Sequence, residues 1–112
     1  MGYYANGSGT MTFMCASDAK LKEVGNLLSD AWFEYTVENV SSEGKYTIDF
    51  YADNKYHGDE IDALLAAIAQ LVSMTDGELA YVGEDGEHWR FVYKPADMSW
   101  HEQNGYIVYE DT

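Results

Sequence analysis

Residues 59–73, DEIDALLAAIAQLVS, carry the strongest periodicity in the chain. Ile61, Leu64, Leu65, Ile68, Leu71 and Val72 recur at three- and four-residue intervals, which is the spacing of one apolar face on an α-helix. Asp59 is placed to cap the start, and Glu60 and Asp62 put negative charge where the helix dipole favours it. Thr75-Asp76-Gly77 reads as the stop, with Gly77 taking the left-handed position after the helix. A second amphipathic helix is expected over 19–31. Its stripe is Leu21, Val24, Leu28 and Ala31, with Leu27 beside them, and Ser17 or Asp18 is its cap. Gly25 inside it either weakens the helix or lets another backbone approach closely.

The remaining segments alternate with a period of two. In 9–15, Met11, Phe13 and Cys15 share one side, and in 33–40 Phe33, Tyr35 and Val37 do the same. The turn Ser41-Ser42-Glu43-Gly44 joins the latter to 45–52, where Tyr46, Ile48, Phe50 and Ala52 face one way, so the pair reads as an antiparallel hairpin. Residues 53–58 form a polar link into the central helix. Beyond it come strands at 78–82 and 87–94, joined by the turn Gly83-Glu84-Asp85-Gly86. Pro95 ends the second of these because it cannot donate to a ladder. Residues 97–104 read as a loop carrying Met98 and Trp100, and 106–110 as a last strand after the Asn104-Gly105 turn. The order β-α-β-β-α-β-β-β implies a single α+β domain over 1–112, with two helices packed on one face of a mostly antiparallel sheet. The first six elements follow the ferredoxin-like order, and two strands are added to it.

Charge changes the picture. Twenty acids stand against six bases, a formal net charge of -14 in 112 residues. Residues 1–56 hold eight acids and four bases, whereas 57–112 hold twelve acids and two bases. Such a chain repels nucleic acid and anionic membranes and attracts basic partners. Cys15 is the single cysteine, so no internal disulfide forms and a reducing compartment is expected. No basic stretch leading into an apolar run opens the chain, and no apolar run approaches the roughly 20 residues of a membrane span. A cytoplasmic protein without cofactor, metal or membrane partner is the expectation.

Candidate chemistry is sparse. His57, His88 and His101 fall in no metalloprotease spacing. His57 lies beside Asp59 and Glu60, which reads first as a loop and helix cap and second as a metal site. Residues 53–64 place Gly58 at the sixth position of a calcium loop, but Lys55, His57 and Leu64 occupy ligand places, which excludes that site. Glu84, Asp85 and Glu87 form an acidic turn with too few ligands for calcium. Cys15, on an apolar strand face, reads as core. Two surface features remain. Tyr51, Trp100, Tyr106 and Tyr109 are aromatic residues able to anchor an interface. Ala63, Ala66, Gln70 and Ser73 form a small, uncharged back to the central helix, suited to a homodimer contact.

The termini carry a resemblance. Met1, Gly2 and Tyr3 at the start, and Gly83-Glu84 followed by Trp89-Arg90, resemble a family of small uncharacterised proteins carried by bacteriophages and mobile elements. The resemblance covers about a third of the chain. It brings no active site; its residues read as a turn, a core tryptophan and an arginine available for an ion pair. It implies a setting of phage–host conflict. In that setting the expected function is inhibition of a host nucleic-acid-binding defence protein, of the anti-CRISPR or anti-restriction type, either by carboxylates standing where phosphates lie or by a tyrosine patch that blocks a moving domain. The partner-binding residues are then Asp59, Glu60, Asp62, Glu84, Asp85 and Glu87, with Tyr51, Trp100, Tyr106 and Tyr109. The alternative is a non-catalytic interaction or dimerisation module. A third class, a small enzyme, would centre on His57 or His101.

Overall fold

Alternation along the first strand divides the molecule into two faces. The computed structural model describes residues 4–15 and 17–104. Its elements are β1 (Tyr4–Met14), α1 (Asp18–Asp30), β2 (Glu34–Ser41), β3 (Lys45–Lys55), α2 (Gly58–Leu71), β4 (Ser73–Gly83), β5 (His88–Lys94) and β6 (Ser99–Asn104). The six strands form one sheet in the order β2-β3-β1-β4-β5-β6, and every neighbouring pair is antiparallel. The first four strands have the ferredoxin-like arrangement, and β5 and β6 extend it beyond β4. The α+β class and the element order expected from periodicity are both present.

Met11 and Phe13 of β1, Ile48 and Phe50 of β3, Leu79 of β4 and Phe91 of β5 point to one side and are buried. Val24 and Leu28 of α1, and Ile61, Leu64, Leu65 and Ile68 of α2, close over them in one continuous core. Each large aliphatic or aromatic side chain removed from water contributes about 1.5–3 kcal/mol. The apolar stripes of both helices therefore hold the two layers together. Cys15 is buried in this core, as its strand position implied. The opposite face carries Ser8, Thr10, Asp49, Ala80 and Arg90 and lies open to water.

Several local expectations are overturned. The N-cap of α2 is His57, not Asp59, and its side chain makes no capping bond; Asp59 falls inside the first turn. Gly77 is not a helix stop. The helix ends at Val72, whose backbone is already extended, and β4 begins at Ser73 instead of residue 78. Gly77 pairs with Met11 across the ladder, and a Cβ there would stand 2.6 Å from Cη2 of Trp100. Bareness, not turn geometry, is what the position requires. Ser73 accordingly belongs to a strand and not to the back of the helix. Residues 99–104 form β6, paired along its length with β5, where a loop was expected. Gly25 admits a ring instead of a backbone, since the Tyr35 hydroxyl occupies the place of its absent Cβ. The strand expected at 106–110 lies outside the described residues.

Edge strand β2 is exposed along nearly all of its length. Glu34 and Glu38 and a register shift between Asn39 and Ser41 interrupt it. Such charges and irregularities discourage edge-to-edge pairing.

Candidate functional site

Antiparallel pairing decides which loops meet. At one end of the sheet, Tyr4 of β1 pairs with Lys55 of β3, Ala5 pairs with Gly83 of β4, and Val82 pairs with His88 of β5. The start of α2 and the β4–β5 turn therefore both lie at this end. Asp59 and Glu60 come from the first, and Glu84, Asp85 and Glu87 from the second. All five are exposed. Tyr4 sits at the junction. Its amide donates to Oε1 of Glu84 at 2.8 Å, and the Glu84 amide donates back to its carbonyl at 2.9 Å.

The Tyr4 side chain lines a cavity of about 460 Å³ at the same end. Trp32, Phe33 and Tyr81 complete an aromatic wall, and His57 and Glu60 supply the polar groups. The way α1 ends explains the position of Trp32. The Trp32 amide donates to the Ser29 carbonyl, and the Phe33 amide donates to the Leu28 carbonyl at 2.9 Å. These two bonds are the Schellman closure of a helix, whose left-handed residue is usually glycine. Here that residue is Trp32, with φ of 69°, and it is 78% exposed.

Other expected site residues lie elsewhere. Asp62, although on α2, lines a separate cavity of about 350 Å³ with Ala66, Gln70, Met98 and Trp100. Ala63, Ala66, Gln70 and Ser73 are all exposed, but only Ala66 and Gln70 reach that cavity. Trp100 is half-buried over Gly77, with its ring edge-on to Tyr93 at 5.8 Å. Tyr51 stands on the open face of the sheet, away from both cavities. Its hydroxyl donates to Oε1 of Glu34 at 2.6 Å, and this bond to a carboxylate raises its pKa above the ordinary tyrosine value. Tyr106 and Tyr109 lie outside the described residues.

Behind the cavity wall, Tyr81 stacks on Trp89 at 5.4 Å, and Tyr56 meets both rings edge-on. Burial raises the Tyr81 pKa, with Tyr56 adding to the effect. Burial also raises that of Tyr56; the Trp89 side chain opposes the shift, and the charges of Glu102 and Asp62 reinforce it.

Asp97, Ser99 and His101 come together at the β5–β6 turn, a serine–histidine–aspartate set that sequence did not single out. Asp97 Oδ2 lies 2.9 Å, and Ser99 Oγ 3.2 Å, from the same ring nitrogen, Nε2 of His101. A nucleophilic relay needs the carboxylate and the hydroxyl on opposite nitrogens. This set therefore does not form one.

Of the residues carrying the resemblance, Gly83 and Glu84 open the turn, Trp89 is buried, and Arg90 pairs with Glu78 at 3.1 Å and donates to Gln103 at 2.9 Å. No family model matches this chain, and no curated protein matches it. Among the described residues no helix is long and apolar enough to cross a membrane. Sequence reasoning missed Tyr4 and Trp32 entirely. One signal was present: a tryptophan stands directly after Ala31, where a helix of this kind ends on glycine.

Proposed function

We propose that this chain is a non-enzymatic binding domain whose acidic end docks on a basic, nucleic-acid-binding protein and competes with the nucleic acid for it. The observation that carries this reading is the meeting of two acidic groups, distant in sequence, around Tyr4. A groove of arginine and lysine built for phosphates responds to the negative field and not to its chemical source. The resemblance of the termini supplies the setting: an inhibitor of the anti-CRISPR or anti-restriction type, with the host nuclease as partner.

The test is DNA cleavage by a purified CRISPR or restriction nuclease, with and without this protein, at low and high salt. The reading expects inhibition that weakens as salt rises, because exposed charge contacts are screened beyond a Debye length of about 8 Å. It also expects inhibition to vanish when Asp59, Glu60, Glu84, Asp85 and Glu87 are all changed to lysine. Inhibition that survives these changes would overturn it.

A second reading, a dimerisation module, is favoured by one observation. The uncharged residues Ala66 and Gln70 of α2 border a cavity beside Met98, which is 75% exposed. Sedimentation of the Ala66→Glu variant beside the parent chain separates the two readings. A parent dimer lost in the variant supports this second reading.

A further inference from the structure

Trp32 is costly where it stands. A non-glycine residue in the left-handed region is disfavoured, and a bulky one is an outlier. The residue is 78% exposed, so packing in the core does not repay the strain. Strained residues of this kind cluster at binding sites, where the surrounding structure holds them for a purpose. The Trp32 ring opens onto the cavity of about 460 Å³, together with Tyr4, itself 49% exposed.

The chemistry of the walls selects the occupant. Aromatic faces attract cations through their quadrupole, and tryptophan does so most strongly. Among the described lining residues there is one carboxylate, Glu60, and no lysine or arginine. The start of α2 would suit an anion, but Glu60 and Asp59 occupy its first turn, and the formal charge of -14 repels one. A planar guanidinium stacks on aromatic rings and pairs with a carboxylate, which a compact, strongly hydrated ammonium does less well.

We infer that this cavity is an anchor pocket for an arginine side chain of the partner, stacked on Trp32 and Tyr4 and paired with Glu60. The inference rests on the reading of the acidic end as the docking surface and names the group that end receives.

The experiment is an NMR titration of the full chain with N-acetyl-arginine methylamide, its citrulline counterpart and its lysine counterpart. The expected result is a saturable shift of the Trp32 indole N–H and the Tyr4 ring with the arginine probe, weaker with lysine and absent with the uncharged citrulline. Trp32→Gly removes the ring while relaxing the backbone, so a loss of binding in that variant is not a loss of fold. It should weaken the arginine probe by about tenfold, and Glu60→Gln by about threefold. Equal shifts with citrulline, or shifts scattered over every acidic surface, would overturn the pocket. The outcome is separable from that of the docking reading. If charge reversal abolishes nuclease inhibition while the arginine probe leaves Trp32 unmoved, the acidic surface stands and the pocket falls. If the probe binds with the expected selectivity but charge reversal spares inhibition, the cavity still takes an arginine side chain, and its role as anchor for the partner falls with the acidic docking surface.

Discussion

Tyr4 and Glu84 hold each other through a reciprocal pair of bonds: the Tyr4 amide to the Glu84 carboxylate, and the Glu84 amide to the Tyr4 carbonyl. The pair closes β1 onto the end of β4 and fixes the Tyr4 ring at the cavity mouth. Glu84→Ala removes the first bond and spares the second. The expected cost is about 0.5–1 kcal/mol, because the bond is solvent-exposed. Hydrogen exchange checks the location of the effect. The Tyr4 amide should exchange faster, and that of Phe13 should not.

Trp32 should behave as a residue selected against stability. Trp32→Gly is expected to stabilise the domain by about 1 kcal/mol, the left-handed penalty recovered at a Schellman position. At the other end of the same helix, the Ser17 hydroxyl accepts from the Lys20 amide at 3.2 Å. Ser17→Ala should destabilise by about 1 kcal/mol. Urea midpoints of the two variants, moving in opposite directions from the parent, are the measurement.

Two glycine-to-alanine changes should also diverge. A Cβ on Gly9 would stand 2.5 Å from the Glu78 carbonyl oxygen, a backbone atom in the middle of the sheet that cannot step aside. Gly9→Ala should cost about 1–3 kcal/mol. A Cβ on Gly58 would meet only the Tyr56 ring at ordinary contact distance. Gly58→Ala, at the start of α2, should gain up to about 1 kcal/mol. Thermal unfolding of both variants tests the contrast.

Alkaline pH should unfold the domain through its tyrosines. Tyr81, Tyr56 and Tyr51 all have pKa values raised above the usual 10.0. A group whose folded-state pKa is raised contributes stability that is fully present below its unfolded value and is lost as pH rises through the folded value. The expected profile is therefore flat from neutrality to about pH 10, followed by a steady loss. Absorbance titration of phenolate provides the check. Tyr81 should ionise together with unfolding, and Tyr81→Phe should shift the alkaline transition upward.

Local periodicity was enough to reveal the two helices, the hairpin of β2 and β3, and the class of the fold. The 3.6-residue stripe of Ile61, Leu64, Leu65 and Ile68 and the alternation of Ile48, Phe50 and Ala52 are written in neighbouring residues, and burial followed both patterns. The errors fell where a distant strand outvoted a local signal. Thr75-Asp76-Gly77 has the composition of a turn, yet β1 draws it into the ladder, and Trp100 occupies the space Gly77 leaves. The segment SWHEQN lacks an apolar period, yet β5 pairs with it along its whole length as the last strand of the described sheet.

The sequence alone determined that this protein is acidic, that it has an apolar core, and that two helices and a sheet enclose that core. It could not say that Asp59 and Glu60 share an end of the molecule with Glu84, Asp85 and Glu87, or that Trp32 and Tyr4 face one cavity. Those relations depend on strand order and direction, which arise from hydrogen bonds between segments far apart in the chain. A helical stripe is a property of adjacent residues, whereas a site assembled from β1, the end of α1, the start of α2 and the β4–β5 turn exists only once the sheet has closed.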